Sequence, residues 1–311
     1  MRALVTGVAG FLGSTLAEAL RKQGFDVLGV DAFTDNYEPS RKRANLAGLL
    51  QDSGFRLVEA DLRTAPLAPL FDGVTHVAHL AALPGVRASW GEAFREYAEH
   101  NVLVTQRVLE AARDRPLKSV AVASSSSVYG VPTRFPTPED EAPRPISPYG
   151  VTKLATEALA HAYRREMGIP TVSLRYFTVY GPRQRPDMGF NRFLEAARRG
   201  EAVTIYGDGR QTRDFTYVDD AVFATMASLR ERTPEFAYNV GGGHRVALNE
   251  VLDLMERVVG RKIERRHVEI QRGDPRDTAS DTRLARRDLG FTPRTTLEEG
   301  LTRQWEWQRN V

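Results

Sequence analysis

The chain has 311 residues, 41% hydrophobic and 27% charged, the balance of a soluble folded protein with room for one main domain and a smaller lobe. It has no cysteine, which excludes disulfides, zinc–thiolate centres and a thiol nucleophile, and no apolar run is long enough to cross a bilayer. The net charge is +3 and the isoelectric point about 9.2, but the charges are interspersed and no basic run carries aromatics, so neither nucleic acid nor membrane is an expected partner.

In chain order the pattern alternates strand and helix. Apolar strands are predicted over 2–6, 26–31, 55–60, 75–81 and 118–123, with helices over 11–23, 41–51, 93–113 and 148–167 between and after them. The strands are near-continuously apolar, as a parallel sheet covered on both faces requires. This predicts an α/β fold, a doubly wound parallel sheet of Rossmann type with right-handed crossovers. After a sixth strand over 171–175 the alternation breaks down. Helices follow over 190–199, 217–229, 247–259, 281–289 and 297–309, with a strand over 202–206. The expected division is a dinucleotide-binding domain, 1–178, to which about 215–240 returns, and a smaller α/β substrate-binding lobe, 179–214 and 241–311. The chain runs straight from Met1 into strand one, without a signal-peptide layout, so a cytoplasmic location is expected. The six histidines (76, 79, 100, 161, 244 and 267) show no metal-ligand spacing, and no metal is expected.

The first strand runs into Gly7-Val8-Ala9-Gly10-Phe11-Leu12-Gly13, a GxxGxxG loop that opens a helix. Gly7 suits a tight turn, Gly10 a close backbone approach to pyrophosphate, and Gly13 close helix–sheet packing. Asp31 ends strand two, where a carboxylate accepts from an adenosine ribose and repels a 2′-phosphate, favouring NAD over NADP. Arg41, Lys42 and Arg43 could receive such a phosphate, but a helix surface accounts for them. Asp61 and Leu62 follow strand three and are placed to meet the adenine.

Strand five ends in Ser124-Ser125-Ser126-Ser127, four hydroxyls at the carboxyl end of the sheet, where ligands gather. Ser147-Pro148-Tyr149-Gly150-Val151-Thr152-Lys153 then opens a helix with Tyr149 and Lys153 on one face. A free phenol has a pKa of about 10 and needs a neighbouring cation to act as a base near neutrality. Only five of the 43 basic residues are lysine, so a lysine at 153 stands out.

The glycine loop, Ser-x-x-Val-Tyr-Gly130, Tyr149-x-x-x-Lys153, Arg175-Tyr-Phe-Thr-Val-Tyr-Gly-Pro182 and Arg213-Asp-Phe-Thr-Tyr-Val-Asp-Asp220 together resemble the extended short-chain dehydrogenase/reductases. Within these the chain is similar to the nucleotide-sugar epimerases and dehydratases, over nearly its whole length. The resemblance implies Ser125, Tyr149 and Lys153 as catalytic residues. Ser125 would bond the sugar oxygen, Tyr149 would be the base, and Lys153 would bind the nicotinamide ribose. It implies Phe11, Leu12, Ala81, Ala82, Asn101 and Tyr176 along NAD, Arg213 at the diphosphate of a UDP-sugar, and a homodimer through helices 93–113 and 148–167. Relatives that dehydrate or decarboxylate carry acidic residues where this chain has Ser126 and Ser127, which favours 4-epimerisation.

Thr178, Leu83-Pro84-Gly85-Val86-Arg87 and Gly181-Pro182-Arg183-Gln184-Arg185 resemble the UDP-glucuronate 4-epimerases, with Arg185, Thr178, Ser126 and Arg87 as candidates for the uronate and Asn191 also near the substrate. UDP-glucose 4-epimerases are the alternative, dehydratases or decarboxylases a further one, and a non-catalytic dinucleotide sensor another. The family's C-terminal Arg-x-Gly-Asp is displaced here: Gln271 holds the Arg position, leaving Arg272 or Arg276 to serve.

Overall fold

The computed structural model describes residues 1–269, Gly273 and 275–310. The strands in chain order are β1 (Arg2–Thr6), β2 (Asp26–Asp31), β3 (Phe55–Glu59), β4 (His76–His79), β5 (Ser119–Ser125), β6 (Thr171–Tyr176), β7 (Val179–Tyr180), β8 (Val203–Tyr206), β9 (Thr212–Asp214), β10 (Thr216–Tyr217), β11 (Ala237–Val240), β12 (Arg245–Ala247) and β13 (Arg265–Val268). Seven of them form one parallel sheet in the order β11-β6-β5-β4-β1-β2-β3. Strand order reverses between β1 and β4, and a crevice opens there at the carboxyl ends. The pairs β7–β10, β8–β13 and β9–β12 build the rest.

Successive residues of each central strand enter opposite cores, as the two-residue repeat demands. Ala3, Val5, Val27, Ala78, Ala121 and Val172 join one apolar cluster, and Leu4, Leu28, Val77, Val120 and Val122 the other. Helix α1 (Phe11–Lys22) lies in the first cluster. Helix α2 (Pro39–Asn45) is a short piece on the rim, followed by a 3₁₀ turn over Leu49–Gln51, so the single helix predicted over 41–51 is interrupted.

The helix predicted over 93–113 is also broken: α3 (Phe94–Tyr97), a π-turn over Ala98–Leu103 and α4 (Val104–Ala111). A π-turn accommodates an extra residue and re-aims what it carries, and here it carries Asn101, which is buried. The predicted strand over 118–123 extends to Ser125, so the serine cluster is partly sheet.

Helix α5 (Pro148–Met167) is specified locally at both ends. The Ser147 hydroxyl accepts from the Gly150 amide at 3.1 Å, Pro148 supplies a preset φ at the first turn, and Gly168 takes the left-handed conformation at φ 68° that ends the helix. Its inner face packs on β5 and β6 with the second cluster. The remaining helices are α6 (Gly189–Arg199), α7 (Val218–Leu229), α8 (Leu248–Val259), α9 (Arg283–Leu289) and α10 (Leu297–Gln308). Helix α7 returns against the first core, and β11 after it pairs with β6 as the outer strand. Among the described residues no helix is long and apolar enough to cross a membrane.

Beneath the carboxyl end of β5 lies a buried ion pair. The Arg175 guanidinium meets the Glu157 carboxylate at 2.7 Å, each side chain 3% exposed. The Ser124 hydroxyl also donates to Glu157, and Arg175 donates to the Tyr129 hydroxyl at 2.8 Å and the Glu139 carbonyl at 2.9 Å. Leaving one buried charge without its partner costs about 3–5 kcal/mol. Glu157→Leu alone should therefore lose stability of that order in urea unfolding. The Glu157→Leu/Arg175→Met double variant should recover part of it; additive losses would contradict the pairing.

Candidate active site

The crevice is a cleft of about 790 Å³ at the carboxyl ends of β1, β2, β4, β5 and β6. Its floor includes Gly7, Gly10, Phe11, Leu12 and Gly13. The amide of Gly7 donates to the Val30 carbonyl at 2.8 Å, and its φ of 69° is a left-handed turn that favours glycine. A Cβ on Gly7 would sit 2.9 Å from the Ala81 backbone, and one on Gly13 would sit 2.1 Å from the Gly7 carbonyl oxygen. Substitution at either glycine would therefore close the cradle or displace α1.

Asp31 accepts from the Ala9 amide at 2.9 Å and the Phe33 amide at 2.8 Å, one bond per carboxylate oxygen. Each oxygen keeps a lone pair for a ribose hydroxyl. Lys42 departs from the sequence expectation: it lies not on a helix surface but 4% exposed in the cleft wall. Its ammonium donates to the Thr34 carbonyl at 2.5 Å and Asn36 Oδ1 at 2.7 Å, while Arg43 pairs with Glu59 at 3.0 Å. Both cations are thus committed to protein partners beside Asp31. Asp61 and Leu62 line the same end, with the Arg63 guanidinium holding the Asp61 carboxyl below its usual range.

Ser125, Tyr149 and Lys153 meet in the middle of the cleft, with Ser126, Ser127, Ala81 and Ala82 around them. The Tyr149 amide, an orphan donor of the first helical turn, is taken by the Ser89 hydroxyl at 3.0 Å. The Tyr149 ring stands edge-on to Tyr97 at 6.3 Å. Neither Ser89 nor Tyr97 carries a sequence signal for this role, because each acts across a loop. The Lys153 ammonium donates to the Ala123 carbonyl at 2.8 Å and lies 6.0 Å from the centre of the Tyr149 ring.

The electrostatics differ from the sequence reading, in which Lys153 lowers the phenol. Burial pushes Tyr149 up, opposed by its hydrogen bond with Ser125 and the charge of Arg185. Burial likewise pushes Lys153 down to about 8, opposed by Glu157. The ammonium is anchored on a carbonyl and leaves the phenol protonated when no ligand brings charge to the cleft.

Beyond the serines the cleft continues past Thr178, Arg185, Arg87 and Arg213. Arg185 forms a two-point contact with Asp187 at 3.0 and 2.9 Å. The Arg87 guanidinium lies 4.1 Å from the Tyr206 ring centre, and Arg213 donates to the Thr212 and Arg276 carbonyls, both at 2.9 Å. Sequence reasoning missed the wall opposite, which includes Phe193, Thr204, Tyr206, Gln211 and Phe215. Alternation within β8 was the available signal: Val203 and Ile205 enter the core, so Thr204 and Tyr206 face the other way.

Two expected site residues are not brought to the cleft surface. Asn101 lies behind it, its side-chain oxygen accepting from the Leu83 amide at 2.7 Å and its amide donating to Thr152 Oγ1 at 3.0 Å. Asn191 spends its side chain on the Gln184 carbonyl at 2.8 Å and so positions the loop before Arg185. Arg272 lies outside the described residues. Tyr176 lines the cleft with its ring, its hydroxyl sharing a 2.7 Å hydrogen bond with Thr225.

Residues 3–241 match the NAD dependent epimerase/dehydratase family. A Bacillus subtilis (strain 168) protein named "Uncharacterized UDP-glucose epimerase YtcB" is 44% identical, covering 98% of this chain and 96% of its own length. The UDP-glucuronate 4-epimerase of Thermodesulfobacterium geofontis (strain OPF15) is 36% identical over 98% of this chain and 95% of its own. The crystal structure of UDP-glucuronic acid 4-epimerase from Bacillus cereus, in complex with UDP-glucuronic acid and NAD, superposes with a TM-score of 0.96 at 39% identity, over 100% of this chain and 99% of that one.

The lowered Lys153 makes a pH prediction. Its folded value is about 8 and its ordinary value 10.5. Between these the unfolded chain binds more protons, so the cost of the buried charge, complete below pH 8, is relieved as pH rises. Urea unfolding of the ligand-free protein should therefore show wild type gaining on the order of 2–3 kcal/mol relative to Lys153→Met from pH 7.5 to 10.5. Parallel pH profiles would refute the burial cost.

Proposed function

The chain belongs to the NAD-dependent epimerase/dehydratase family, and on that premise we propose that it is a nucleotide-sugar 4-epimerase, an isomerase that interconverts UDP-glucuronate and UDP-galacturonate. The observation that carries this reading is the meeting of Ser125, Tyr149 and Lys153 in one cleft with Arg185, beside serines rather than carboxylates. NAD suits the other end, where the glycine cradle admits a pyrophosphate and Asp31 has lone pairs free for ribose. Held there by the glycine loop and Asp31, NAD would supply the hydride acceptor and donor that epimerisation at C4 requires.

Tyr149 takes the proton from the sugar 4-hydroxyl, and Ser125 bonds the same oxygen. A cationic nicotinamide would favour the phenolate that burial alone opposes. The 4-keto sugar then turns over and receives hydrogen on its opposite face. Ser126 and Ser127 supply no carboxyl for proton transfer at C5–C6, which disfavours dehydration. Arg185, whose charge reaches the Tyr149 phenol, is the candidate partner for the C6 carboxylate, with Thr178 and Ser126. Exchanging Asp187 for the substrate carboxylate would keep both charges paired. Arg213 and Arg87 serve the diphosphate and nucleotide end, where Tyr206 and Phe193 offer aromatic faces. The name carried by the Bacillus subtilis relative favours a second reading, UDP-glucose as substrate.

We assign 1–178 with about 215–240 to dinucleotide binding and the remainder to the nucleotide-sugar lobe. We also propose a homodimer through α3, the π-turn, α4 and α5, where Phe94, Leu103 and Val151 are 40%, 57% and 47% exposed. Sedimentation should return twice the 34.7 kDa chain mass; a monomer at micromolar concentration would rule this out.

Incubation with NAD and either UDP-glucuronate or UDP-glucose, with products resolved by chromatography, distinguishes the two substrates. UDP-galacturonate should form with kcat/KM about a hundredfold above that for UDP-glucose; preference for UDP-glucose would select the second reading. A 4-keto uronate is a β-keto acid, so Arg185→Ala should raise the share of decarboxylated UDP-pentose. Slower epimerisation without pentose would count against a holding role for Arg185.

A further inference from the structure

His79 is 3% exposed at the end of β4 and takes no part in the chemistry above. Its surroundings nevertheless determine where its proton lies. Thr6 Oγ1 accepts from the amides of Leu80 and Ala81, each at 3.2 Å. Both lone pairs of that hydroxyl are then occupied, so its proton points to His79 Nδ1, 2.8 Å away. The imidazole proton must therefore sit on Nε2, which faces Thr105 Oγ1 at 3.1 Å. The Thr105 hydroxyl donates onward to the Asn101 carbonyl at 2.5 Å. Every donor in this series points the same way.

We propose that His79 is a positioning residue: a neutral imidazole protonated on Nε2, it joins the Ala81 backbone, through Thr6 and Thr105, to the π-turn carrying Asn101, and so fixes the cleft wall formed by residues 80–83.

The two ends of the series grip the same short stretch. Thr6 holds the amides of Leu80 and Ala81, where a Cβ on Gly7 would already collide with the Ala81 backbone. Asn101 holds Leu83 by both its amide, at 2.7 Å, and its carbonyl, at 3.0 Å. The same Asn101 amide reaches Thr152, which neighbours Lys153 and donates to the Tyr149 carbonyl at 2.8 Å. One imidazole thus bridges the cofactor wall and the first turns of α5. Burial and the nearby Lys153 ammonium push His79 down to about 3, in keeping with a neutral ring. A cationic ring could not accept from Thr6 and would place a second charge near Lys153.

The role rests on the reading of the cleft as a dinucleotide site, and the test separates the two. NADH binding to wild type, followed by fluorescence without sugar, tests that reading: no binding would remove it. Given binding, His79→Leu and Thr105→Val should each weaken NADH by about tenfold, the scale of one lost buried hydrogen bond. They should also lower kcat about ten- to a hundredfold while KM for the UDP-sugar stays within about twofold. His79→Gln, which returns a donor near the Nε2 position, should recover part of kcat. Equal losses in the Gln and Leu variants, tracking melting temperature alone, or a Thr105→Val enzyme with wild-type kcat and NADH affinity, would overturn the proposal. ¹⁵N-histidine NMR of wild type at pH 7.5 needs no variant to fold. It should show a buried neutral Nε2–H imidazole, and an Nδ1–H or imidazolium signal for His79 would equally overturn it.

Discussion

The hydrogen bond from Lys153 Nζ to the Ala123 carbonyl, 2.8 Å long, joins α5 to the carboxyl end of β5. The placement of Tyr149, one turn earlier on the helix, depends on it. Through this bond an ammonium is brought into an interior that disfavours charge, next to a phenol that the same interior keeps protonated. The site is consequently unready by itself. A cationic ring placed beside the phenol would shift that balance toward the phenolate.

The support under this arrangement is polar and fully bonded. Glu157, one turn after Lys153, is neutralised by Arg175. Arg175 reaches Tyr129, whose hydroxyl donates to Asn239 Oδ1 at 2.7 Å, and the Asn239 side-chain amide donates to the Thr137 and Asp281 carbonyls at 2.9 and 3.1 Å. One network therefore links α5, the strands β5, β6 and β11 and the segment before α9. Buried ionic groups are a weak source of stability compared with an apolar core, and their use here is geometric. They hold β5 and α5 in register with β11 and the segment before α9.

Much of the site was legible because its elements are local. Glycine spacing after a strand, an acid at the end of the next strand, and Ser-Pro opening a helix each specify backbone over fewer than ten residues. The parts that escaped depend on long-range packing. Lys42 reads as one of three cations on a helix, yet folding turns it into the cleft wall. Ser89 has no motif, but caps the Tyr149 amide from 60 positions away. Asn101 enters the expected site through the family resemblance, and Asn191 beside it as a substrate neighbour. In the fold both are consumed by backbone, Asn101 by Leu83 and Asn191 by Gln184.

From the sequence alone came the parallel α/β architecture, the glycine loop, Asp31 and the shared helix face of Tyr149 and Lys153, because periodicity, capping and turn chemistry act between near neighbours; Ser125 stood out among its neighbours only through the family resemblance. The tertiary structure alone decided that Lys153 rests on a carbonyl rather than on the phenol, and that β8 turns Tyr206 toward Arg87. It also decided that His79 meets Thr6 with one ring nitrogen and Thr105 with the other. Each of these depends on which groups meet after burial, and burial sets both the energy of a charge and the partners left to satisfy a proton.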